Sequence, residues 1–354
     1  MTERSVQPSS GPAAQGPAAV PGPAPARPAA GALLSVREVS RRFVRRLDTV
    51  EKLAARLGAS LREQVVHAVD RVSFEVADGE VVGLVGESGC GKSTLGRVIA
   101  GLHPPTEGEV LLAGERVELR PGRRPPIQMI FQDPFASLNP RMRVGDAIAE
   151  APLAHGLVSR ADAVEHVAAL LRRVGLDPAY ARRYPHQFSG GQRARIGIAR
   201  ALAVEPRFLV CDEAVAALDV SIQAQVLNLF MSLRETLGLT CLFISHDLGV
   251  VRHLADRVVI MYLGRVVEIG PIAEIYDAPN HPYTQALLAE VPRLDRRGRS
   301  YQPIRGEIPS PLDPPSGCHF HPRCPHASAR CRSEAPALRE VAPGRMSACH
   351  LNDA

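Results

Sequence analysis

One apolar run followed directly by a glycine-rich, lysine-containing loop constrains the fold of this chain more than any other feature. Val81–Val85 is apolar throughout, and it leads into Gly86-Glu87-Ser88-Gly89-Cys90-Gly91-Lys92-Ser93-Thr94. The spacing G-x-x-x-x-G-K-S between a strand and a helix is typical of a phosphate-binding loop. Its glycines let successive backbone N–H groups point at phosphate oxygens, and the helix that follows adds the positive end of its dipole. The sequence therefore predicts an α/β fold with a nucleotide-phosphate site here.

The lysine of this loop stands out against the composition of the chain. Among the 42 Lys and Arg residues, only Lys52 and Lys92 are Lys. A compact ammonium fits such a loop, whereas the wide guanidinium fork of Arg does not. We predict that Lys92 binds the β- and γ-phosphates and that the Ser93 hydroxyl ligates Mg²⁺.

Short apolar runs recur along the chain and predict the strands of a mainly parallel sheet. Such a sheet is covered by helices on both faces, so its strands are apolar throughout. Besides Val81–Val85, the predicted strands are Leu33–Val39, Val72–Val76, Val110–Leu112, Ile127–Phe131, Phe208–Cys211, Cys241–Ile244 and Val258–Met261. Helical spacing between them completes an α/β pattern.

The predicted helices carry start and stop signals. Ser159-x-x-Asp162 is a capping-box pattern, and Gly175 ends the helix that it begins. Its apolar face is predicted to be Val164, Val167, Ala168, Leu171 and Val174. Two further helices are predicted over Gln192–Leu202 and Ser221–Leu237, and a short helical insertion over 48–66.

The two ends of the chain differ in composition from its centre. Residues 1–31 are rich in Pro and Ala without an apolar period, which predicts a disordered tail. The region after about 270 turns Pro-rich and loop-like. Apolar runs stop after at most six or seven residues, far short of the about 20 that a membrane span needs. No signal peptide opens the chain, so we expect it in the cytosol.

A second chemical feature is an acidic pair at the end of a predicted strand. Phe208–Cys211 is followed directly by Asp212 and Glu213. At the carboxyl tip of a buried strand, Asp212 can hold Mg²⁺ and Glu213 can polarise an attacking water.

The segment Gln187-Phe188-Ser189-Gly190-Gly191-Gln192-Arg193 offers a second anion cradle at a helix start. One phosphate loop already suffices for one triphosphate, so the second cradle points to the nucleotide of another subunit. This segment resembles the signature motif of the ATP-binding cassette (ABC) ATPases. The resemblance covers roughly residues 33–270 in the family's motif order. It implies an ABC-type fold, with a mainly parallel sheet, an antiparallel β part and a helical subdomain.

The resemblance also assigns expected roles to further residues. Gln132 is similar to the Q-loop glutamine, Asp219 to the D-loop aspartate and His246 to the switch histidine. The implied catalytic residues are Lys92, Gln132, Glu213 and His246, and the implied Mg²⁺ ligands are Ser93, Gln132 and Asp212. Phe43 is the expected aromatic partner of adenine. The family commonly has Pro and Ser where this chain has Ala214 and Ala216. Neither carries the chemistry, so the site is predicted to be active.

The mechanism implied by the resemblance needs two such domains. They pair head to tail, and each ATP with its Mg²⁺ lies between the phosphate loop of one domain and the Ser189-Gly190-Gly191-Gln192 segment of the other. Hydrolysis assisted by Glu213 and His246 reopens the pair, and Asp219 communicates across it.

The C-terminal part narrows the resemblance to the oligopeptide/dipeptide importer ATPases. The runs that carry it are FQDPFASLNPR from Phe131, NHPYTQALL from Asn280, GEIPSP from Gly306 and GCHFHPRC from Gly317. The resemblance implies uptake of short peptides or a related solute such as a nickel chelate or glutathione. It also implies a second, different ATPase subunit, two permease subunits, an extracytoplasmic binding protein and a position on the cytoplasmic face of the membrane.

Four of the seven cysteines crowd the C-terminal end, at Cys318, Cys324, Cys331 and Cys349. Four thiolates suit a [4Fe–4S] cluster or tetrahedral Zn²⁺, and free thiols are the third reading. Paired C-x-x-C knuckles are absent, which favours the cluster, and the family tail is associated with one. His319, His321, His326 and His350 are possible substitute ligands.

The expected organisation is a tail over 1–31, an ABC ATPase domain over 32–270 with its helical subdomain at about 133–195, and a cysteine-containing C-terminal region over 271–354. Two other functions stay open at this point. The net charge of +5 and the cysteine tail suit a non-transport ABC ATPase acting on nucleic acid, although no nucleic-acid partner is expected. A catalytically silent regulatory subunit is the other.

Overall fold

Two β-sheets organise the part of the chain that the computed structural model describes, which is residues 31–45, 63–118, 126–133, 138–290, 304 and 306–353. The predicted tail therefore lies outside the described residues except for Gly31. Most of the predicted insertion, 48–62, also lies outside them, as does 134–137 of the Phe131 run.

The first sheet is antiparallel and has the strand order β2-β1-β4-β5. The second has eight strands in the order β11-β12-β10-β9-β3-β8-β7-β6. The strands are β1 (Ala32–Arg45), β2 (Gln64–Ala77), β3 (Val81–Val85), β4 (Glu107–Leu112), β5 (Glu115–Arg116), β6 (Ile127–Ile130), β7 (Phe208–Asp212), β8 (Cys241–Ser245), β9 (Arg257–Tyr262), β10 (Arg265–Pro271), β11 (Arg339–Ala342) and β12 (Arg345–Ser347).

The centre of the larger sheet is parallel, as the apolar runs predict. Strands β6, β7, β8, β3 and β9 pair in parallel, and every residue of β3, β7 and β8 is buried. Burial of both faces explains why these strands lack polar alternation. The prediction of helix up to residue 66 is wrong for 64–66, since these residues pair with β1, with Val66 opposite Phe43. The β-branched side chains of Val65 and Val66 favour a strand.

Helices cover the larger sheet and form a bundle beside it. They are α1 (Lys92–Ile99), α2 (Val144–Ala154), α3 (Ala163–Arg173), α4 (Gly190–Leu202), α5 (Val220–Leu237), α6 (Leu248–Leu254), α7 (Ile272–Asp277), α8 (Pro282–Glu290) and α9 (Ala329–Ser333), with short 3₁₀ helices at Pro178–Arg182, Pro185–Gln187 and His350–Asp353. Within the described ranges, no helix is both long enough and apolar enough to span a lipid bilayer.

Helix α3 ends as predicted, but it begins at Ala163, three residues later than the capping-box pattern at Ser159 predicts. Gly175 follows its end with φ 71°, the left-handed conformation that glycine adopts without strain. Val167, Leu171 and Val174 are buried, but Val164 is 79% exposed. Leu170, which the predicted apolar face does not include, is buried as well. In the first helical turn the buried residue is Ala163 instead.

The C-terminal region is more ordered than its Pro content predicts, and it continues the larger sheet. Strand β12 pairs with β10, where Ser347 lies opposite Glu268. Glu268 is fully buried, and its carboxylate accepts the backbone N–H groups of Asn280 at 2.9 Å and His281 at 3.0 Å. Arg345 donates to the same carboxylate at 3.3 Å. This carboxylate satisfies backbone donors just before α8, which would otherwise be buried without partners.

Candidate functional site

The carboxyl ends of four neighbouring parallel strands carry most of the residues singled out from the sequence. The phosphate loop follows β3, Asp212 ends β7, His246 follows β8 and Gln132 follows β6. In a parallel sheet these ends meet at one edge, the usual position of a ligand site in α/β proteins. The topology therefore brings together side chains that are far apart in the chain.

The phosphate loop is closed around its lysine. The Nζ of Lys92 donates to the carbonyl oxygens of Gly86 at 2.7 Å and Glu87 at 2.9 Å, and the side chain is 4% exposed. Gly91 has φ 105°, and a Cβ there would lie 2.0 Å from the carbonyl oxygen of Ala68. Only glycine fits this position. The ammonium thus sits inside the loop, hydrogen-bonded to two of its backbone carbonyls.

Two oxygen-bearing side chains meet beside this loop. The Ser93 hydroxyl donates to Oδ1 of Asp212 at 2.8 Å. Burial raises the pKa of Asp212, while the hydrogen bond from Ser93 and the charge of Arg97 lower it. A hydroxyl and a carboxylate are the hard oxygen ligands that Mg²⁺ prefers. The donor set therefore fits the expected ion.

Glu213 is contacted by both of its predicted catalytic partners. Gln132 donates through Nε2 to Oε2 of Glu213 at 2.7 Å, and Nδ1 of His246 lies 3.4 Å from Oε1. Glu213 has φ 47°, a strained conformation for a residue with a Cβ. Its backbone N–H donates to the carbonyl of Ile244 at 3.0 Å, which fixes that conformation. The structure therefore assembles the expected triad of side chains.

The signature segment, Ser189-Gly190-Gly191-Gln192, reaches the protein surface at Ser189. Ser189 is exposed and begins α4 with a capping box, in which its Oγ accepts from the N–H of Gln192 and Oε1 of Gln192 accepts from the N–H of Ser189. A Cβ on Gly191 would lie 2.4 Å from Cγ2 of Ile222, so glycine permits the close packing of α4 on α5. These hydrogen bonds close onto α4 and do not reach the phosphate loop.

Asp219 follows a residue that lies near Gly190 of the signature segment. It is exposed at the start of α5. The neighbouring Leu218 would contact a Cβ placed on Gly190 at 3.4 Å. Ser189, Gly190 and Asp219 thus lie in one region of the surface.

Phe43 packs against His103 and Arg41. Its ring meets that of His103 edge-on at 5.7 Å, and the guanidinium of Arg41 lies 4.6 Å above it. Its strand partner Val66 is two residues from Ala68, whose carbonyl faces Gly91. Contact with adenine stays a prediction.

The four C-terminal cysteines line one cavity. Its walls are formed by Cys318, Cys324, Cys331 and Cys349 with His281, Pro282, Phe320, His321, His326, His350 and Leu351. Burial raises the pKa of the Cys318 thiol to about 11 and lowers that of His281 to about 4, so both are neutral at pH 7. No group of three or more His, Cys, Asp or Glu among the described residues could hold a metal ion. The expected zinc or iron therefore has no support from the positions of these side chains.

Sequence reasoning missed the residues that contact Glu87 of the phosphate loop. Arg323 donates to both carboxylate oxygens of Glu87, at 2.7 and 2.9 Å. The backbone N–H of Glu87 donates to the hydroxyl of Tyr283 at 2.9 Å. Arg323 and Tyr283 stand in runs that carry the family resemblance, but no local signal shows that they reach this loop.

Comparison with known proteins identifies the same family that the sequence motifs indicate. Residues 69–216 match the ABC transporter family, and residues 267–331 match the family described as oligopeptide/dipeptide transporter, C-terminal region. The oligopeptide transport ATP-binding protein AppF of Bacillus subtilis is 53% identical over 81% of this chain and 90% of its own length. A probable peptide ABC transporter ATP-binding protein of Sinorhizobium fredii is 52% identical over 81% of this chain and 83% of its own.

Solved structures agree on the fold. The ATP-binding cassette MJ0796, determined as a dimer in a post-hydrolysis state with ADP and Pi, is 25% identical, with a TM-score of 0.57 over 68% of this chain and 98% of that chain. CbiO1 from Clostridium perfringens has the same TM-score at 24% identity, over 70% of this chain and 91% of its own. The predicted α/β fold class and family are confirmed. The chain belongs to the ABC transporter ATP-binding proteins, in the group that carries the oligopeptide/dipeptide transporter C-terminal region.

Proposed function

We propose that this chain is the ATP-hydrolysing subunit of an importer for short peptides. The contact of Glu213 with both Gln132 and His246, next to the Ser93–Asp212 pair, is the observation that carries the ATPase part. The C-terminal family match and the names of the two bacterial relatives support the peptide part.

In this proposal the phosphate loop binds the triphosphate of ATP. Backbone N–H groups of Gly86–Thr94 and the start of α1 favour the anion, and Lys92 exchanges its two loop carbonyls for phosphate oxygens. Ser93 and Asp212, with Gln132, would hold Mg²⁺. When bound, the ion neutralises charge on the phosphates.

Glu213 acts as the general base in this proposal. Gln132 and His246 hold its two carboxylate oxygens, which orients the group toward an attacking water. His246 is 52% exposed in its side chain, so it is accessible to the γ-phosphate of a bound nucleotide. Phe43 is proposed to contact adenine.

The complete site needs a second ATPase domain. Ser189, Gly190, Gly191 and Gln192 are proposed to close over the nucleotide of the neighbouring subunit, with Asp219 at the same seam. Exposure of Ser189 and Asp219 supports this arrangement. We further propose that the neighbour is a different ATPase, and that two permeases and an extracytoplasmic binding protein complete the assembly at the cytoplasmic face of the membrane. We also propose that the ATPase domain ends, and the C-terminal region begins, at about residue 270.

Uptake by whole cells tests the substrate class. Because Lys92 holds the phosphate loop, cells whose only copy carries Lys92→Ala should lose accumulation of radiolabelled short peptides, by about 100-fold if the loop residue is worth 2.7 kcal/mol or more. Uptake of a sugar serves as the control. Unchanged peptide uptake in these cells would contradict the peptide assignment.

We further propose that the four C-terminal cysteines, which line one cavity, hold a [4Fe–4S] cluster. Thiolates are the ligands that such clusters take, and the cluster would join the strand end at Cys349 to the loop around Cys318. Zinc, which four thiolates also suit, is the alternative at the same side chains.

Anaerobic purification of the full chain tests the cluster. We expect iron and acid-labile sulfide in equal amounts, with the broad visible absorbance of thiolate-bound iron. Cys331→Ser should lower both, because it removes one ligand. Cys241→Ser, in the buried sheet, is the control and should retain them. Wild-type protein without iron, and with its C-terminal thiols free to react, would rule the cluster out.

A further inference from the structure

Glu87 directly follows the first glycine of the phosphate loop, and two residues of the C-terminal region form hydrogen bonds with it. The two terminal nitrogens of Arg323 donate to its two carboxylate oxygens, at 2.7 and 2.9 Å. The Tyr283 hydroxyl accepts its backbone N–H at 2.9 Å. A two-point pairing of guanidinium with carboxylate fixes orientation as well as distance.

The Arg323–Glu87 pair is mostly shielded from water. The side chain of Arg323 is 4% exposed and that of Glu87 is 20% exposed. The hydrogen bonds from Arg323 to Glu87 raise the pKa of Arg323, and the guanidinium also lies 3.5 Å from the hydroxyl oxygen of Tyr262. Removal of one member of such a pair leaves a poorly solvated charge behind, which is strongly unfavourable.

The scaffold that presents these groups is an aromatic cluster. The rings of Tyr262 and Tyr283 are 4.7 Å apart, and Phe320 lies 5.2 and 5.3 Å from them. Tyr283 and Phe320 are almost fully buried. The positions of the Tyr283 hydroxyl and of Arg323, three residues after Phe320, are therefore set by packing.

Glu87 also connects this scaffold to the phosphate-binding lysine. Its carbonyl oxygen accepts from Nζ of Lys92 at 2.9 Å. One residue thus contacts Tyr283 through its N–H, Arg323 through its carboxylate and Lys92 through its carbonyl. A change in the C-terminal contacts therefore reaches the lysine through a single residue.

We propose that Arg323 and Tyr283 are positioning residues for ATP binding, which keep Glu87 neutralised and fixed at the entrance of the phosphate loop. This rests on the proposed function, in which Gly86–Thr94 binds the phosphates of ATP. Without Arg323, the carboxylate of Glu87 is an uncompensated negative charge in the loop that must take up a triphosphate, and it repels that ligand. Without the Tyr283 hydroxyl, the N–H of Glu87 loses its acceptor.

Equilibrium binding of a fluorescent ATP analogue with Mg²⁺ to the full-length chain tests this. We expect Arg323→Gln to raise the Kd on the order of tenfold. The double variant Glu87→Gln/Arg323→Gln should recover most of the affinity, because it removes the unpaired charge. A general structural role of Arg323 predicts no such recovery. Arg330→Gln is the matched control, since Arg330 pairs with Glu334 and Asp353 in the same region and should leave the Kd unchanged.

Tyr283→Phe covers the case in which Arg323→Gln does not fold, because it keeps the buried ring. It should raise the Kd several-fold, in line with one lost hydrogen bond of about 1 kcal/mol. Wild-type affinity in Tyr283→Phe, or equal affinities of the single Arg323→Gln and the double variant, would overturn the inference. Failure of the wild-type chain to bind ATP would instead contradict the proposed function.

Discussion

Replacement of Glu213 by Gln should reduce ATP hydrolysis by about 100- to 10,000-fold while ATP binding persists, the range expected for loss of a general base. Glutamine preserves the size of the side chain and can still pair with Gln132 and His246, which lie 2.7 and 3.4 Å from the carboxylate oxygens. It cannot accept a proton from water. The measurement is the steady-state rate of phosphate release by the native assembly, isolated through a tag on this chain, together with equilibrium ATP binding.

Glu205→Gln is the matched control for this variant. Glu205 also has φ 47° and precedes the same strand, β7, but it is exposed and lies outside the site. Its replacement should change the rate by no more than about twofold, as for most surface substitutions. A Glu213→Gln assembly that hydrolyses ATP at the wild-type rate would show that another group activates the water.

Replacement of Ser189 by Arg should reduce hydrolysis at least about 100-fold, comparable to the loss of one preorganised donor at a developing charge. Ser189 is exposed at the start of α4, so a large side chain there need not disturb the core. In the proposed arrangement it would occupy the space of the neighbouring subunit's γ-phosphate. Binding of ATP to the phosphate loop of the same chain should be retained, because that loop makes none of the hydrogen bonds of Ser189.

Ser159→Arg provides the comparison. Ser159 is likewise an exposed serine before a helix, and its hydroxyl contacts Asp162 at 2.6 Å. Loss of this contact should lower the stability of α3 by about 1 kcal/mol without affecting hydrolysis. If Ser189→Arg were as active as Ser159→Arg, the signature segment would have no part in the reaction.

The centre of the fold and the site could be predicted because their signals are local. Strand β3 is apolar throughout and β7 is apolar up to its last residue, Asp212, and the turn that follows β3 needs glycine at Gly91 for steric reasons. The roles of Gln132 and His246 needed the family's motif order, since a lone Gln or His after a strand is unremarkable. The structure adds their common contact with Glu213.

The rest depends on contacts between distant residues, which no local pattern shows. The Pro-rich C-terminal region folds onto the sheet because Glu268 accepts backbone donors at residues 280 and 281. The apolar spacing of α3 includes Val164, but only packing shows that this residue stays exposed. Likewise, nothing near Arg323 in the sequence indicates that its partner is Glu87 in the phosphate loop.

Orthovanadate photocleavage of the wild-type native assembly tests the central claim most directly. Vanadate trapped with ADP and Mg²⁺ takes the position of the γ-phosphate, and light then cuts the backbone segments that touch it. We expect this chain to be cut at its phosphate loop, near Lys92, and also at Ser189, which in the proposed arrangement lies against the nucleotide of the other subunit. Cleavage at the phosphate loop alone, with Ser189 intact in a fully trapped assembly, would contradict the shared site.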